Sequence, residues 1–367
     1  MVCSVKHLIL ELKSLEGFLK IKPLYFDLDT MDFVWLDTTL IPFKEVYRRT
    51  KDYRRVVEAI KSMEVRGAPA IGVAAAFGMA LAALENKDVK ESSLFIAKLN
   101  EAKRLLESTR PTAVNLFWAL SRVWRVIEEN RDKSPDKIAE LVLEEAFRIY
   151  IEDIKTNIEI GRIGSKLVED NYTILTHCNT GALATAGFGT ALGVVRYAWY
   201  EGRNLRVLTT ETRPVLQGAR LNVWELRKEG IPVKLIVDSA VAYVMSKRMV
   251  DLVLVGADRI IITGHTANKI GTFQVALAAF YHKVPFYVVA PTSTIDRSLG
   301  PEGIVIEERS PDEVRKVMGT TLITLEDVEV LNPSFDITPP DLISGFITEK
   351  GIIVKPFEIN FSRVLAR

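Results

Sequence analysis

The chain has 367 residues, 48% hydrophobic and 26% charged, an ordinary globular composition with length enough for two domains with large cores. Its 48 basic and 47 acidic residues leave a net charge of +1 and no charge block, so a nucleic-acid or anionic-membrane partner has no compositional support. Two cysteines, Cys3 and Cys178, exclude a disulfide framework, and with no signal-peptide pattern at the N-terminus a cytoplasmic protein is expected.

The first 45 residues suggest short strands and turns: Pro23–Asp29, Phe33–Asp37 and Thr39–Pro42. From Thr50 the pattern turns helical, with Val56, Val57, Ile60 and Met63 at the spacing of one helix face. A second helix starts near Pro69; its apolar run, Ala68 to Leu84, is short for the ~20 residues of a membrane span and predicts a buried helix. Helices follow over Leu94–Leu106 and Thr112–Glu129, and from Ser134-Pro135, where Ser caps and Pro opens the first turn. That last stretch runs to about Gly161 and joins two domains, expected as residues 1–150 and 151–367. Beyond it strands (Tyr172–Thr176, Leu205–Thr210, Val233–Val237, Leu252–Val255, Phe286–Ala290) alternate with helical runs (Ala182–Trp199, Gln217–Glu229, Ser239–Met249, Gly271–Tyr281). Such alternation predicts a doubly wound parallel sheet. Asn332–Pro340 reads as a turn-rich loop, with Pro339 opening a last short helix.

Ligands of open α/β sheets bind at the carboxyl ends of strands, and two acid–base candidates fall there. Cys178, beside His177, follows the strand ending at Thr176; Asp258, in Val-Gly-Ala-Asp-Arg-Ile, follows Leu252–Val255. A thiol beside helix-start amides is a candidate acid or nucleophile, although a lone cysteine is more often a small core residue. Asp258 is equally placed to cap a turn or pair with Arg259; His177 suits a hydrogen-bonded core position, and Asp336 suits a turn. Cations stand at several junctions before helices: Arg66 in Val-Arg-Gly-Ala-Pro, Arg110 in Thr-Arg-Pro-Thr, Arg213 in Glu-Thr-Arg-Pro, and Lys269 after Asn268. Helix N-termini carry partial positive charge, so a cation there is unfavourable without an anion, and the repetition points to a phosphate or carboxylate ligand. Each arginine taken singly is also explained by a neighbouring acid. The four histidines, His7, His177, His265 and His282, show no metal-ligand spacing, and no metal or cofactor is expected. A dinucleotide site is the rival reading, but Gly187, Gly189 and Gly193 are spaced wrongly for the fingerprint and sit inside the helical pattern, as packing residues would.

These residues lie in longer matching segments: MEVRGAPAIG (63–72), STRPTAVNL (108–116), THCNTGALAT (176–185), ETRPVLQGARL (211–221), WELRKEGIPVKLIVDSA (224–240), VGADRI (255–260), ANKIGTF (267–273), PFYVVAPTSTID (285–296) and NPSFDITP (332–339). With them the chain resembles the family of 5-methylthioribose-1-phosphate isomerases, ribose-1,5-bisphosphate isomerases and the regulatory α, β and δ subunits of the eukaryotic initiation-factor exchange complex, and the first of these most. The resemblance implies a helical N-terminal domain with short β elements, a Rossmann-like C-terminal domain with a mainly parallel sheet, and a homodimer. It implies substrate binding by Arg66, Gly67, Ala68, Arg110, Gln217, Asn268 and Lys269, catalysis by Cys178 and Asp258, and a small phosphosugar substrate. Two positions depart from the family pattern: Asp37-Thr38-Thr39 stands for the usual Asp-Gln, and Thr263-Gly264-His265 for Asn-Gly-Asp. Phosphate on the anomeric carbon blocks the free-aldehyde route, so the implied chemistry opens the ring with phosphate attached and moves a hydrogen from C2 to C1. Asp258 is expected to protonate the ring oxygen, which needs a raised pKa and an apolar surrounding, and Cys178 to assist the hydrogen shift. Bisphosphate isomerisation and a non-catalytic translation-factor subunit stand as alternatives.

Overall fold

The computed structural model describes residues 2–110, 113–297 and 300–366; Pro111 and Thr112, the expected start of one helix, lie outside them. The chain divides into two compact units, Met1–Asn157 with Ala182–Gly189, and Ile158–Gly181 with Thr190–Arg367.

The first unit opens on a helix, α1 (Val2–Leu15), where only strands and turns were expected. Val5 and Leu8, a turn apart, are buried and supply the reason. Strands β1 (Leu24–Asp27), β2 (Asp32–Leu36) and β3 (Tyr47–Thr50) form an antiparallel sheet with Phe26 opposite Phe33. Thr39–Pro42 is a turn, because the Asp37 carboxylate accepts from the Thr39 amide at 3.0 Å. Helices α2 (Tyr53–Lys61), α3 (Ala68–Asn86), α4 (Ser92–Glu107), α5 (Val114–Glu129) and α6 (Pro135–Gly164) follow. Asp52 caps α2 by accepting from the Arg54 amide at 2.9 Å. α3 is apolar and long enough for a membrane span, yet 83% of that window is buried within the protein. Its small residues let the neighbouring helices approach: a Cβ on Gly72 would stand 2.8 Å from the Asn115 carbonyl oxygen of α5. In the middle of this unit Phe77 stacks on Phe26 and meets Phe147 and Tyr150 edge to face, with Phe33 tilted against it.

The second unit is built on a seven-stranded sheet. Its strands are β4 (Thr173–Thr176), β5 (Arg206–Thr210), β6 (Val233–Ile236), β7 (Leu252–Val255), β10 (Phe286–Val289), β15 (Gly345–Thr348) and β16 (Gly351–Ile353). The order is β16-β15-β10-β7-β4-β5-β6, all neighbours parallel except the β15/β16 edge. A smaller sheet, β11-β8-β9-β14, joins β8 (Arg259–Ile261), β9 (Thr266–Lys269), β11 (Ile295–Asp296) and β14 (Phe335–Thr338), and β12 (Lys316–Val317) pairs with β13 (Thr321–Leu322). The helices are α7 (Ala191–Tyr200), α8 (Val223–Lys228), α9 (Val241–Ser246), α10 (Thr272–His282), α11 (Asp312–Arg315) and α12 (Phe357–Leu365). Alternate residues of each central strand feed opposite cores. Leu175, Val253, Val255 and Phe346 pack with Val244 of α9, Val275 of α10 and Phe361 of α12. Ile174, Leu252, Leu254 and Ile347 pack with Leu192 and Val195 of α7 and Ile163 of α6. A sheet buried on both faces explains why its strands read as continuous apolar runs. The small sheet, β15, β16 and α12 had no distinct sequence signal; the turn after Pro339 is one 3₁₀ turn, Pro340–Leu342.

Candidate active site

β4 is the first strand of the large sheet in chain order; β5 and β6 continue on one side of it, β7, β10 and β15 on the other. The crossovers therefore diverge between β4 and β7, and a crevice opens at the carboxyl ends of strands where they do. Cys178 lies just past the end of β4, and Asp258 just past the end of β7. Gln217 follows β5 on the other side of β4 and opens a π-helical turn, Gly218–Asn222. The Asp258 amide donates to Ala267 at 3.0 Å, which places the end of β7 against β9, where Asn268 and Lys269 sit. Five of the expected site residues thus share one edge of the second unit.

Cys178 is 6% exposed and is not in a disulfide. It was expected beside helix-start amides and is not: Ala182–Ala184 is a 3₁₀ turn and α7 begins only at Ala191, its Leu192 amide engaged by the Thr180 carbonyl at 3.2 Å. The helical reading of Ala182–Gly189 fails at its glycines, since Gly189 adopts φ +93°, a left-handed conformation that interrupts a helix. Gly187 and Gly189 are therefore loop residues, not residues within a helix. Cys178 itself has φ +63°, and so does Thr212, the corresponding residue past β5. Left-handed backbone is a genuine outlier for a β-branched threonine and persists only where surroundings over-determine it. The surroundings are visible. The Cys178 amide donates to Thr212 Oγ1 at 2.9 Å, and Asn222 Nδ2 donates to the Cys178 carbonyl at 2.5 Å. Asp238 receives the Thr212 and Arg213 amides, both at 2.8 Å.

Behind Cys178 lies a buried charged network that sequence reasoning missed. Arg196 of α7 reaches Glu225 at 2.6 Å and Glu229 at 2.5 Å, and all three side chains are at most 2% exposed. Glu225 also accepts from Asn179 Nδ2 at 2.8 Å, and Tyr200 donates to Glu229 at 2.9 Å. A side chain on Gly181 would collide with the Glu225 carboxyl group. Its only sequence trace is Asn222 and Glu225 one turn apart, facing the same way.

Gln217 is 5% exposed, and its Oε1 has no hydrogen-bond donor among the described residues, an uncommon state for a buried amide. Asn268 and Lys269 are buried, with Asn268 Nδ2 donating to Thr272 Oγ1 at 3.0 Å. Asp336, opposite Asn268 across β14 and β9, caps α10: its carboxylate accepts from the Gly271 amide at 2.7 Å and from the Phe273 amide at 3.1 Å. It is a helix cap, not a turn former, and partial burial pushes its carboxyl up to about 6. Arg213 serves structure, donating to the carbonyls of Pro214 and Val314, both at 2.9 Å. Arg259 pairs with Asp296 at 3.6 Å. His265 Nδ1 lies 2.9 Å from Thr263 Oγ1 in the β8–β9 turn.

Arg66, Gly67, Ala68 and Arg110 belong to the first unit. Gly67 is the N-cap of α3 with φ +94°, and a Cβ there would stand 2.5 Å from the Ala184 backbone, so only glycine fits. Arg66 precedes that cap; Arg110 lies between α4 and α5. Among the described residues no group of three or more His, Cys, Asp and Glu is arranged to hold a metal.

The fold and candidate site define an α/β protein with a doubly wound sheet and a polar, partly strained edge at its switch point. Residues 64–355 match the model of the Initiation factor 2 subunit family, and the chain belongs to that family. A protein of Aeropyrum pernix, bearing the name methylthioribose-1-phosphate isomerase provisionally, is 65% identical over 359 residues, 97% of each chain. The methylthioribose-1-phosphate isomerase of Acetivibrio thermocellus is 51% identical over 89% of this chain and 96% of its own. The crystal structure of 5-methylthioribose 1-phosphate isomerase from Pyrococcus horikoshii OT3 superposes with a TM-score of 0.88 at 42% identity, covering 96% of this chain and 98% of that one. The structure of translation initiation factor eIF-2B, subunit delta, from A. fulgidus gives 0.84 at 41% identity, covering 95% and 100%.

Proposed function

We infer that the protein is an aldose–ketose isomerase converting 5-methylthioribose 1-phosphate to 5-methylthioribulose 1-phosphate in methionine salvage. The observation that carries the site assignment is the emergence of Cys178 and Asp258 from the adjacent parallel strands β4 and β7, where the crossovers diverge. Identity of 50–65% to proteins bearing the isomerase name supports the reaction. In the proposed reaction the bond between C1 and the ring oxygen breaks as Asp258 gives that oxygen a proton. Hydrogen on C2 then moves to C1, assisted by Cys178. The C2 hydroxyl proton returns to Asp258 and C2 becomes the ketone, with no atoms gained or lost. Lys269, Arg66 and Arg110 supply positive charge for the phosphate. Gln217 Oε1 is suited to accept from a sugar hydroxyl, and Asn268 and the Gly67–Ala68 backbone complete the binding set. Binding energy spent on phosphate and hydroxyls orients the reacting carbons.

The likeness to the initiation-factor subunit of A. fulgidus keeps a regulatory reading in play. Supplying the purified protein with 5-methylthioribose 1-phosphate and, separately, ribose 1,5-bisphosphate decides the matter. Ketose from the first sugar alone is expected. Ketose from the second alone would make it a bisphosphate isomerase, and none from either would favour the regulatory reading.

We propose a cytoplasmic homodimer as the working form. Phe280 and Tyr281 of α10 are 62% and 82% exposed, and Tyr243 of the neighbouring α9 is 63% exposed, an apolar face suited to a second copy. Sedimentation should give twice the chain mass, and Phe280→Asp should shift it toward the monomer.

A further inference from the structure

His177 is 1% exposed, and the reaction above gives it no part. Its ring nitrogens nevertheless have defined partners. Nε2 lies 2.8 Å from the Ile270 carbonyl oxygen, and Nδ1 lies 2.7 Å from Thr210 Oγ1. A carbonyl only accepts, so Nε2 carries the hydrogen. Burial holds the imidazole below its ordinary pKa; Lys269 works in the same direction, while the Ile270 bond and Asp238 oppose it. In the neutral ring Nδ1 is therefore an acceptor, and Thr210 gives it its single hydroxyl hydrogen. Thr210 Oγ1, 3.2 Å from Thr212 Oγ1, can then only accept from Thr212. The alternative acceptor for Thr212, the Thr210 carbonyl, is longer at 3.5 Å. Thr212 Oγ1 in turn receives the Cys178 amide at 2.9 Å. The chain of donors runs one way: Cys178 N–H to Thr212, Thr212 to Thr210, Thr210 to His177, His177 to Ile270.

Both ends of this chain matter. The far end is fixed, because the Ile270 amide donates to Ser334 at 3.1 Å and the Gly271 amide to Asp336 at 2.7 Å. Room for the ring is made by Gly271, where a Cβ would stand 3.0 Å from His177 Cε1. That end immediately follows Asn268 and Lys269. The near end is a cysteine in left-handed backbone, a conformation that must be held.

We propose that His177 is a positioning residue: through Thr210 and Thr212 it locks the Cys178 backbone to the strand end that carries Asn268 and Lys269, and so fixes the thiol relative to the bound sugar phosphate. The proposal rests on the reading of Cys178 as the reacting thiol. A hydrogen-bond relay, unlike packing, is cut by an isostere lacking the hydroxyl and kept by a smaller residue that retains it.

The test compares Thr210→Val, Thr210→Ser and His177→Asn with the parent enzyme. Readouts are kcat and KM for 5-methylthioribose 1-phosphate and the rate at which iodoacetamide alkylates Cys178, followed on its own peptide by mass spectrometry. Misplacing a reacting group by about 1 Å can cost on the order of a hundredfold. Thr210→Val and His177→Asn should therefore lower kcat by about tenfold or more with KM little changed, and speed alkylation as the turn at Cys178 loosens. Thr210→Ser should restore both. Parental kcat and alkylation in Thr210→Val would overturn the proposal. So would a rise in KM at constant kcat, or a Thr210→Ser enzyme as impaired as Thr210→Val. If His177→Asn fails to fold, the threonine pair still decides. A parent enzyme inactive on the sugar phosphate would defeat the functional reading, while alkylation would still report on the relay.

Discussion

At the scale of single residues, Cys178 and Asp258 divide the proposed chemistry, and each is reached by a short exit from its own strand. Loss of a positioned acid–base group costs on the order of 10²–10⁴ in rate. Cys178→Ala and Asp258→Asn should each lower kcat by such factors while the folded chain melts as before; turnover near that of the parent in either variant would remove that residue from the mechanism. Both positions were legible in the sequence because an apolar run of strand length ends just before them. The strain at Cys178 was not, since φ depends on who holds the peptide, and the holders, Thr212 and Asn222, come from the turn past β5 and the π-helical turn after it.

At the scale of elements, α7 is joined to α8 and the residue that ends it by Arg196, Glu225 and Glu229. Removing one partner of a buried ion network strands the others without compensation and costs about 3–5 kcal/mol. Arg196→Met keeps length and apolar bulk but leaves the two carboxylates facing each other. It is expected to lower the melting temperature on the order of 10 °C, and a change of only a degree or two would show that the network contributes little. Helices of the first unit were readable from apolar spacing, as in α2, where Val56, Val57 and Ile60 are buried. Helix α1 was missed although Val5 and Leu8 stand a turn apart, and the small sheet was missed because strands as short as Arg259–Ile261 carry no period of their own.

At the scale of the whole molecule, pH acts on stability through carboxyls perturbed by the fold. Asp153 of α6 accepts from the Ala186 amide at 2.7 Å, yet burial outweighs that bond and pushes its carboxyl up to about 7. A folded chain that binds this proton more tightly than the unfolded one is most stable below the unfolded pKa near 4 and loses that contribution as pH rises through about 7. Melting curves between pH 4 and 8 should therefore show Asp153→Asn with a flatter decline than the parent; equal slopes would mean that Asp153 titrates normally. Asp336, raised to about 6, adds a smaller trend of the same sign.

The sequence by itself determined the class of fold and the two acid–base candidates, Cys178 and Asp258, because a sheet buried on both faces demands apolar strands at regular intervals and because ligands gather where such strands end. Local pattern carries both facts. Tertiary structure decided what holds those residues. The left-handed turn at Cys178, the ion network behind it, the capping role of Asp336 and the one-way hydrogen-bond chain from Cys178 to Ile270 all depend on partners distant in sequence. No spacing rule encodes them, since hydrogen-bond direction and burial are properties of groups brought together only by folding.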